Sequence, residues 1–289
     1  VKRERRFITH HVSRILPSSF SPKEVFMAGK LAEKVAIVTG ASRGIGEEIA
    51  RLFASEGASV ACAARTLREG QHFLPGTLEH TVKEIAAAGG KAIAVPVDLS
   101  KEEDCARLVA ETRQAFGRVD ILVNNAAVNW YVPIKDFKVG HWRAMLAVDL
   151  TAPFLLAQMV MGEMIERKSG WIVNISSGAS RGPGQGPYTT KARGGTPYGT
   201  VKAGLERFTQ GLAHELFEYN IAVNSLAPTK VVPTPGTLHH HLVESMDDPR
   251  GEPPAYMAKA ALVLATADPK RLTGRICYTQ ELLKEMGLL

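Results

Sequence analysis

The stretch TGASRGIG, residues 39–46, decides how the rest of the chain is read. Before it stands KVAIV (34–38), a short apolar run rich in β-branched residues. After it comes EEIARLFASEG (47–57), where Ile49, Leu52 and Phe53 recur at helical spacing. A strand therefore runs into a helix through Gly40, Gly44 and Gly46. Glycines at such a turn let the backbone bend tightly and approach a pyrophosphate, which the unpaired N–H groups and the dipole of the helix then face. Three glycines alone are a weak signal, but their position between a buried strand and an amphipathic helix makes it strong.

Working outward, SVACAA (59–64), KAIAVPV (91–97), VDILVNN (119–125), WIVNIS (171–176), IAVNSLAP (221–228) and RICYT (275–279) read as further strands. Helical spacing fills the gaps: from Leu78 to a stop at Gly89-Gly90, from a Ser100-x-x-Glu103 capping box through Cys105, Leu108, Val109 and Phe116, and over about 140–166, 197–218 and 256–268. Residues 66–77, with Gly70, Pro75 and Gly76, read as a loop. Strands without polar alternation are buried on both faces, and their alternation with helices implies a mostly parallel sheet covered on both sides. The expected fold class is α/β: a single doubly wound Rossmann-type domain over 27–289, seven-stranded, with helices on both faces.

A chain of 289 residues can bury a full core. Its net charge of +6 is concentrated in residues 1–26, where six Lys and Arg face two Glu, a net +4. The remainder is near neutral, so no nucleic-acid footprint is expected on the domain. The 1–26 segment reads as a flexible solvated extension upstream of a start at Met27, or as an Arg-rich targeting peptide without a secretory apolar region. No uninterrupted apolar run approaches a membrane span. Cys62, Cys105 and Cys277 are sparse, odd in number and widely spaced, which fits buried thiols in a reducing, cytoplasmic setting.

Further motifs fall at strand ends: Asp98 in VDLS, NNAA (124–127), NISS (174–177), and Tyr198-x-x-x-Lys202 at the head of a helix. Together with G-x-x-x-G-x-G they resemble the short-chain dehydrogenase/reductase family over about 30–289. The resemblance implies Ser177, Tyr198 and Lys202 as catalytic residues: Tyr198 the general acid/base, Lys202 lowering its pKa and holding the nicotinamide ribose, and Ser177 orienting the substrate oxygen. It implies cofactor contacts at Gly40, Ser42, Arg43, Gly44, Ile45, Gly46, Asp98, Leu99, Asn125, Tyr198, Lys202 and Pro228. A second pair, Tyr188 and Lys191, lies between Pro187 and Arg193-Gly194-Gly195, a loop that fixes no relation between them. The end of the second strand, Cys62-Ala63-Ala64-Arg65-Thr66, carries no acid to bind a ribose 2′-hydroxyl. Arg65 and Arg43 instead suit the 2′-phosphate of NADP, with NAD the lesser expectation.

Several residues depart from the family pattern. Val148-Asp149-Leu150 stands where the family usually carries Asn, and Asp149 is read as retuning the proton relay. Pro153, four residues on, has no N–H for the carbonyl of residue 149. A basic, glycine-rich insertion over about 182–195, flanked by Arg181 and containing Lys191 and Arg193, either meets an anionic substrate such as an acyl-CoA or is solvated. Pro228-Thr229 replaces Pro-Gly, and CYTQELLKE lacks Asp-Gly-Gly. His239-His240-His241 falls in a lid-like segment, 229–254, and is not expected to bind metal. Trp142, Met145 and Leu146 read as core or subunit interface. The loop carrying Arg65, Gly76 and Thr77, the helix after it and the final ELLKE resemble hydroxysteroid-dehydrogenase-like proteins, and residues 198–216 resemble citronellol-type dehydrogenases.

The expected function is an NADP-dependent oxidoreductase acting on a hydrophobic alcohol, aldehyde or ketone, as a homo-tetramer or homo-dimer. The competing expectation is an NADP-binding regulatory or scaffold protein with weak catalysis.

Overall fold

The computed structural model describes residues 29–189 and 194–289; the 1–26 extension, Lys191 and Arg193 lie outside the described residues. The strands are β1 (Val35–Thr39), β2 (Ser59–Ala64), β3 (Lys91–Pro96), β4 (Ile121–Asn124), β5 (Gly170–Ile175), β6 (Ile221–Ala227) and β7 (Ile276–Tyr278). They form one sheet in the order β3-β2-β1-β4-β5-β6-β7, with every pair parallel. All five residues of β1 are buried, and they alternate between two cores. Ala36 and Val38 face the same side as Ile49 and Phe53 of α1 (Gly44–Ser55), whereas Ile37 faces Leu108 of the opposite layer. Both faces of the sheet are thus covered, as its unbroken apolar strands require.

The other helices are α2 (Leu78–Ala87), α3 (Glu102–Phe116), α4 (Val139–Leu146), α5 (Ala152–Arg167), α6 (Thr196–Leu216), α7 (Pro235–His239), α8 (Pro254–Thr266) and α9 (Thr279–Glu285). The short α7 and α9 were not apparent from spacing. The expected capping box at Ser100 does not form: α3 starts at Glu102, and its cap residue, Lys101, makes no side-chain cap. Ser100 instead donates its backbone N–H and its hydroxyl to Asp98 Oδ1, at 3.1 and 2.8 Å. A carboxylate two residues upstream outcompetes the helix end for the serine.

α4 and α5 form one continuous helix through a π-helical turn, Ala147–Thr151, in which the Ala152 N–H donates to Ala147 O, five residues back. The chain accommodates Pro153 by widening the helix rather than breaking it. By length and composition this helix, Val139–Arg167, could cross a membrane, with a mean hydropathy of 1.7 over its most apolar window. Its inner side, including Leu156, Val160 and Met164, belongs to the core beneath the sheet.

Candidate active site

The strand order reverses between β1 and β4, which opens a crevice at their carboxyl ends. Thr39 ties its two walls together. Its hydroxyl donates to Val123 O (3.2 Å) and accepts the N–H groups of Asn125 (2.9 Å) and Ala126 (3.0 Å). Asn125 Nδ2 returns a bond to Thr39 O at 2.8 Å. A Cβ on Gly46 would lie 2.3 Å from Gly40 O and 2.4 Å from Asn125 Nδ2, so only glycine lets α1 start this close to the turn. Ser42 is buried in the same turn, and Ile45 packs on the core. Arg65, Asp98, Leu99 and Pro228 follow β2, β3 and β6, so these expected cofactor contacts stand beyond the carboxyl ends of the strands. Among them Asp98 is already engaged locally, its Oδ1 by Ser100 and its N–H by Asp104 Oδ2 (2.7 Å).

Arg43 caps α1 and turns toward the loop after β2. Its Nη2 donates to Thr66 Oγ1 (3.1 Å) and Gly76 O (2.8 Å), and its Nη1 lies 3.2 Å from His72 Nδ1. Nε is buried without a partner. Burial, and then the neighbouring Arg65, hold the Arg43 pKa below its ordinary value. Neither guanidinium forms an ion pair with a described carboxylate. Two adjacent unpaired cations, an N-terminal helix turn built on glycine and an acid-free β2 end fit a dinucleotide carrying a 2′-phosphate.

The second cluster lies across β5. Ser177 follows that strand, and its Oγ accepts the Ala179 N–H at 3.2 Å. Gly199 allows the turn after Ser177 to rest on α6, since a Cβ there would meet Ala179 O at 2.6 Å. Tyr198 and Lys202 occupy the first turns of α6, as their spacing requires. Lys202 Nζ donates to Ile175 O at 3.0 Å, and it lies 3.6 Å from Asp149 Oδ2 and 5.5 Å from the centre of the Tyr198 ring. Lys202 is 2% exposed and Asp149 is wholly buried. Asp149 Oδ1 accepts the Val128 N–H at 2.9 Å, while Oδ2 has no hydrogen-bond partner. Burial pushes the Asp149 carboxyl up to about 6, against the pull of Lys202 and the Val128 N–H. The Tyr198 phenol is also raised, first by burial and then by the Asp149 charge, with Ser177 acting the other way. The net shift is upward, where the resemblance implied a phenol lowered by lysine. Tyr188 is 64% exposed and donates to Gly184 O within its own loop, remote in character from this cluster.

Three arrangements had no signal in the spacing. Glu206 of α6, buried, accepts the hydroxyls of Ser176 (2.6 Å) and Ser180 (2.7 Å), on either side of Ser177. Asn124 Nδ2 donates to Asn174 Oδ1 (2.8 Å), and Asn174 Nδ2 to Thr209 Oγ1 (2.9 Å), joining β4, β5 and α6 beneath the site. Thr229 and Gln280, the residues that break the family pattern, meet each other. The Gln280 N–H donates to Thr229 Oγ1 (3.0 Å), and both residues donate to the buried Glu252, Thr229 N to Oε1 (3.0 Å) and Gln280 Nε2 to Oε2 (2.9 Å). Arg181 stacks on the Tyr278 ring at 3.8 Å, so this cation of the loop is already engaged. His239 and His240 pack as aromatic rings, against Phe73 and Tyr131 respectively. Met145 is core, while Trp142 and Leu146 are half-buried.

Residues 34–239 match the family model for short chain dehydrogenase. The chain belongs to the short-chain dehydrogenase family. Membership makes it an NAD(P)-dependent oxidoreductase. A short chain dehydrogenase of Pseudocercospora fijiensis is 35% identical over 263 residues, 86% of this chain and 80% of that protein. Subunit BbsD of the (2S)-[(R)-hydroxy(phenyl)methyl]succinyl-CoA dehydrogenase of Thauera aromatica is 31% identical, over 86% of this chain and 95% of its own length. The crystal structure of a metagenomic short-chain oxidoreductase in complex with NADP superposes with a TM-score of 0.68 at 32% identity, covering 86% of this chain and 98% of that one. These likenesses are to the short-chain dehydrogenase family as a whole and do not single out the hydroxysteroid-like or citronellol-type branch.

Proposed function

We propose that this protein is an NADP-dependent oxidoreductase that interconverts a small hydrophobic alcohol and its aldehyde or ketone. The observation that carries the cofactor choice is the pair Arg43 and Arg65 beside an acid-free end of β2. The NADP-bound relative supports it. When bound, the nicotinamide supplies or accepts the hydride. The Ser177 hydroxyl, whose oxygen already accepts from Ala179, keeps its proton to donate to the substrate oxygen. Tyr198 gives a proton to that oxygen in reduction and takes it in oxidation. Lys202, held by Ile175 O, keeps a positive charge beneath the phenol and reaches toward the ribose. Burial, and then the Asp149 charge, hold the Tyr198 phenol above its ordinary value, so it is protonated at neutral pH, the form that carbonyl reduction needs. A CoA thioester as the substrate's carrier is supported by the Thauera relative alone. Self-association into a dimer or tetramer, in the cytoplasm, is part of the same reading. It draws support from Phe154, 46% exposed on α5 beside Phe208 of α6.

A second reading, a regulatory protein that binds NADP without turnover, is favoured by one observation, the buried anion at 149 opposing phenolate formation. NADPH oxidation and NADP reduction are to be measured over a panel of carbonyls and alcohols, with NADH alongside, for wild type and Tyr198→Phe. Turnover with NADPH that falls roughly 10²-fold or more in the variant is expected. NADPH binding without Tyr198-dependent turnover across the panel favours the regulator, and equal use of NADH sinks the cofactor assignment.

A further inference from the structure

The loop between β2 and α2 is folded onto the glycine turn of the cofactor site rather than left in solvent. Gly76, at φ 100°, approaches so closely that a Cβ there would lie 2.6 Å from Ser42 O and 2.8 Å from Arg43 Cβ. Gln71 Oε1 accepts the N–H groups of Leu67 and Arg68, at 2.7 and 3.0 Å, and the Leu78 N–H closes the loop onto Thr66 O at 3.0 Å. The fold of this loop presents two side chains to Arg43, Thr66 at Nη2 and His72 at Nη1.

The protonation of that ring follows from its partners. Nδ1 lies 3.2 Å from Arg43 Nη1 and 3.0 Å from the Leu74 N. Both neighbours are obligate donors, since a guanidinium has no acceptor and a backbone N–H has none either. Nδ1 must therefore offer its lone pair, and the neutral ring carries its single proton on Nε2. Burial, together with the charges of Arg43, Arg65 and His239, disfavours a second proton on His72. Nε2–H has no partner among the described residues, beside Arg43 and Arg65, neither of which is ion-paired with a described carboxylate, although Glu69 and Glu47 act on Arg43 from a distance.

Resting on the NADP reading above, we propose that His72 is a specificity-determining residue of the 2′-phosphate site. Nδ1 fixes the Arg43 guanidinium in place, and Nε2–H is a donor for the phosphate itself. Arg43 needs such a support. Thr66 and Gly76 hold Nη2 alone, and without a third contact the planar group is free to turn about that end. Phe73, stacked on His72 with ring centroids 4.4 Å apart, also contacts His239 of α7 at 4.8 Å, so the same loop joins the phosphate pocket to the lid.

The test is calorimetric binding of adenosine 2′,5′-bisphosphate and of adenosine 5′-monophosphate, with NADPH and NADH in parallel. It uses the full chain as wild type, His72→Ala, His72→Asn and Arg43→Ala. Wild type is expected to prefer the 2′-phosphorylated member of each pair. His72→Ala is expected to weaken that member roughly tenfold or more, as a lost charge-assisted hydrogen bond does, and to leave adenosine 5′-monophosphate unchanged. His72→Asn, whose side-chain oxygen can stand in for Nδ1, is expected to recover part of the loss but not all. A double variant, His72→Ala with Arg43→Ala, is expected to lose less than the sum of the two single losses, and strict additivity overturns the role of Nδ1 in holding Arg43. An equal loss for both nucleotides in His72→Ala shows only a loosened loop and overturns the proposal, as does no loss for either. Full recovery by His72→Asn overturns the role of Nε2. A wild type without preference refutes the NADP reading itself, a result distinct from any of these.

Discussion

Replacing Asp149 by Asn removes a buried charge while keeping the shape of the side chain, and its consequences follow from two distances. Lys202 Nζ is 3.6 Å from the carboxylate and 5.5 Å from the centre of the Tyr198 ring, so the carboxylate lies within about 9 Å of that ring. At an effective dielectric constant of about 20, a charge at that distance acts on a phenolate with about 2 kcal/mol, between one and two pH units. The anion opposes phenolate, so Asp149→Asn is expected to lower the apparent pKa of Tyr198 by about that much. Alcohol oxidation, which needs phenolate, then extends to lower pH, and carbonyl reduction, which needs phenol, begins to fail at lower pH. The assay is kcat/KM against pH in both directions for the two proteins.

Stability supplies an independent arm. The folded Asp149 pKa of about 6 lies above its unfolded value of 3.8. The folded state thus binds this proton more tightly than the unfolded state does. The group's contribution favours folding at low pH and is lost as pH rises through about 4 to 6, a change of about 3 kcal/mol. Asparagine has no such loss, so denaturant unfolding should show the variant gaining on wild type between pH 4 and pH 7. An unmoved or rising apparent pKa of Tyr198, with a stability difference independent of pH, would refute the electrostatic account of Asp149.

Glu206→Ala leaves the Ser176 and Ser180 hydroxyls without their shared acceptor. A stability loss of about 2 kcal/mol is expected, with a roughly tenfold fall in kcat at little change in KM, and Glu206→Gln should restore most of both. A KM effect without a kcat effect counts against the view that Glu206 steadies Ser177. In the latch between Thr229, Glu252 and Gln280, Gln280→Ala and Glu252→Ala are expected to couple by about 1 kcal/mol in a double-mutant unfolding cycle, because their side chains bond directly. Strict additivity means that this contact contributes nothing to the fold.

What could be read in the sequence was local or periodic. The glycine turn announced itself because its strand and helix are contiguous with it, and the pairing of Tyr198 with Lys202 followed from one helical turn. Tyr188 was separable for the same reason, since prolines and glycines around it forbid a helix. Ser100 was misread because the helix-capping pattern cannot register a competing carboxylate at Asp98, which lies outside it. Glu206, Asn174 and Glu252 were invisible because their side chains find partners 23 to 50 residues away. Thr229 and Gln280 each looked like an isolated loss of a family residue, yet the sheet places the end of β6 beside the end of β7 and turns two departures into one contact. Asp149 was conspicuous by type, but its burial against Lys202, from which its chemistry follows, is a property of packing.

The segment between β6 and α8 begins and ends at the same point in space. Thr229 N and the Glu252 carboxylate meet at 3.0 Å, and the Glu252 N–H donates to Val231 O at 3.0 Å, so the chain that leaves β6 returns to where it started before entering α8. A segment closed at its base is a cassette: its interior can be rewritten, lengthened or grafted without pulling on the sheet, and doubling its length costs only about 0.6 kcal/mol of closure entropy. Between Pro233 and Gly251 the exposed positions of this segment can therefore change while buried Val232 and Val243, the Thr39 stitch and the Lys202 anchor stay as they are.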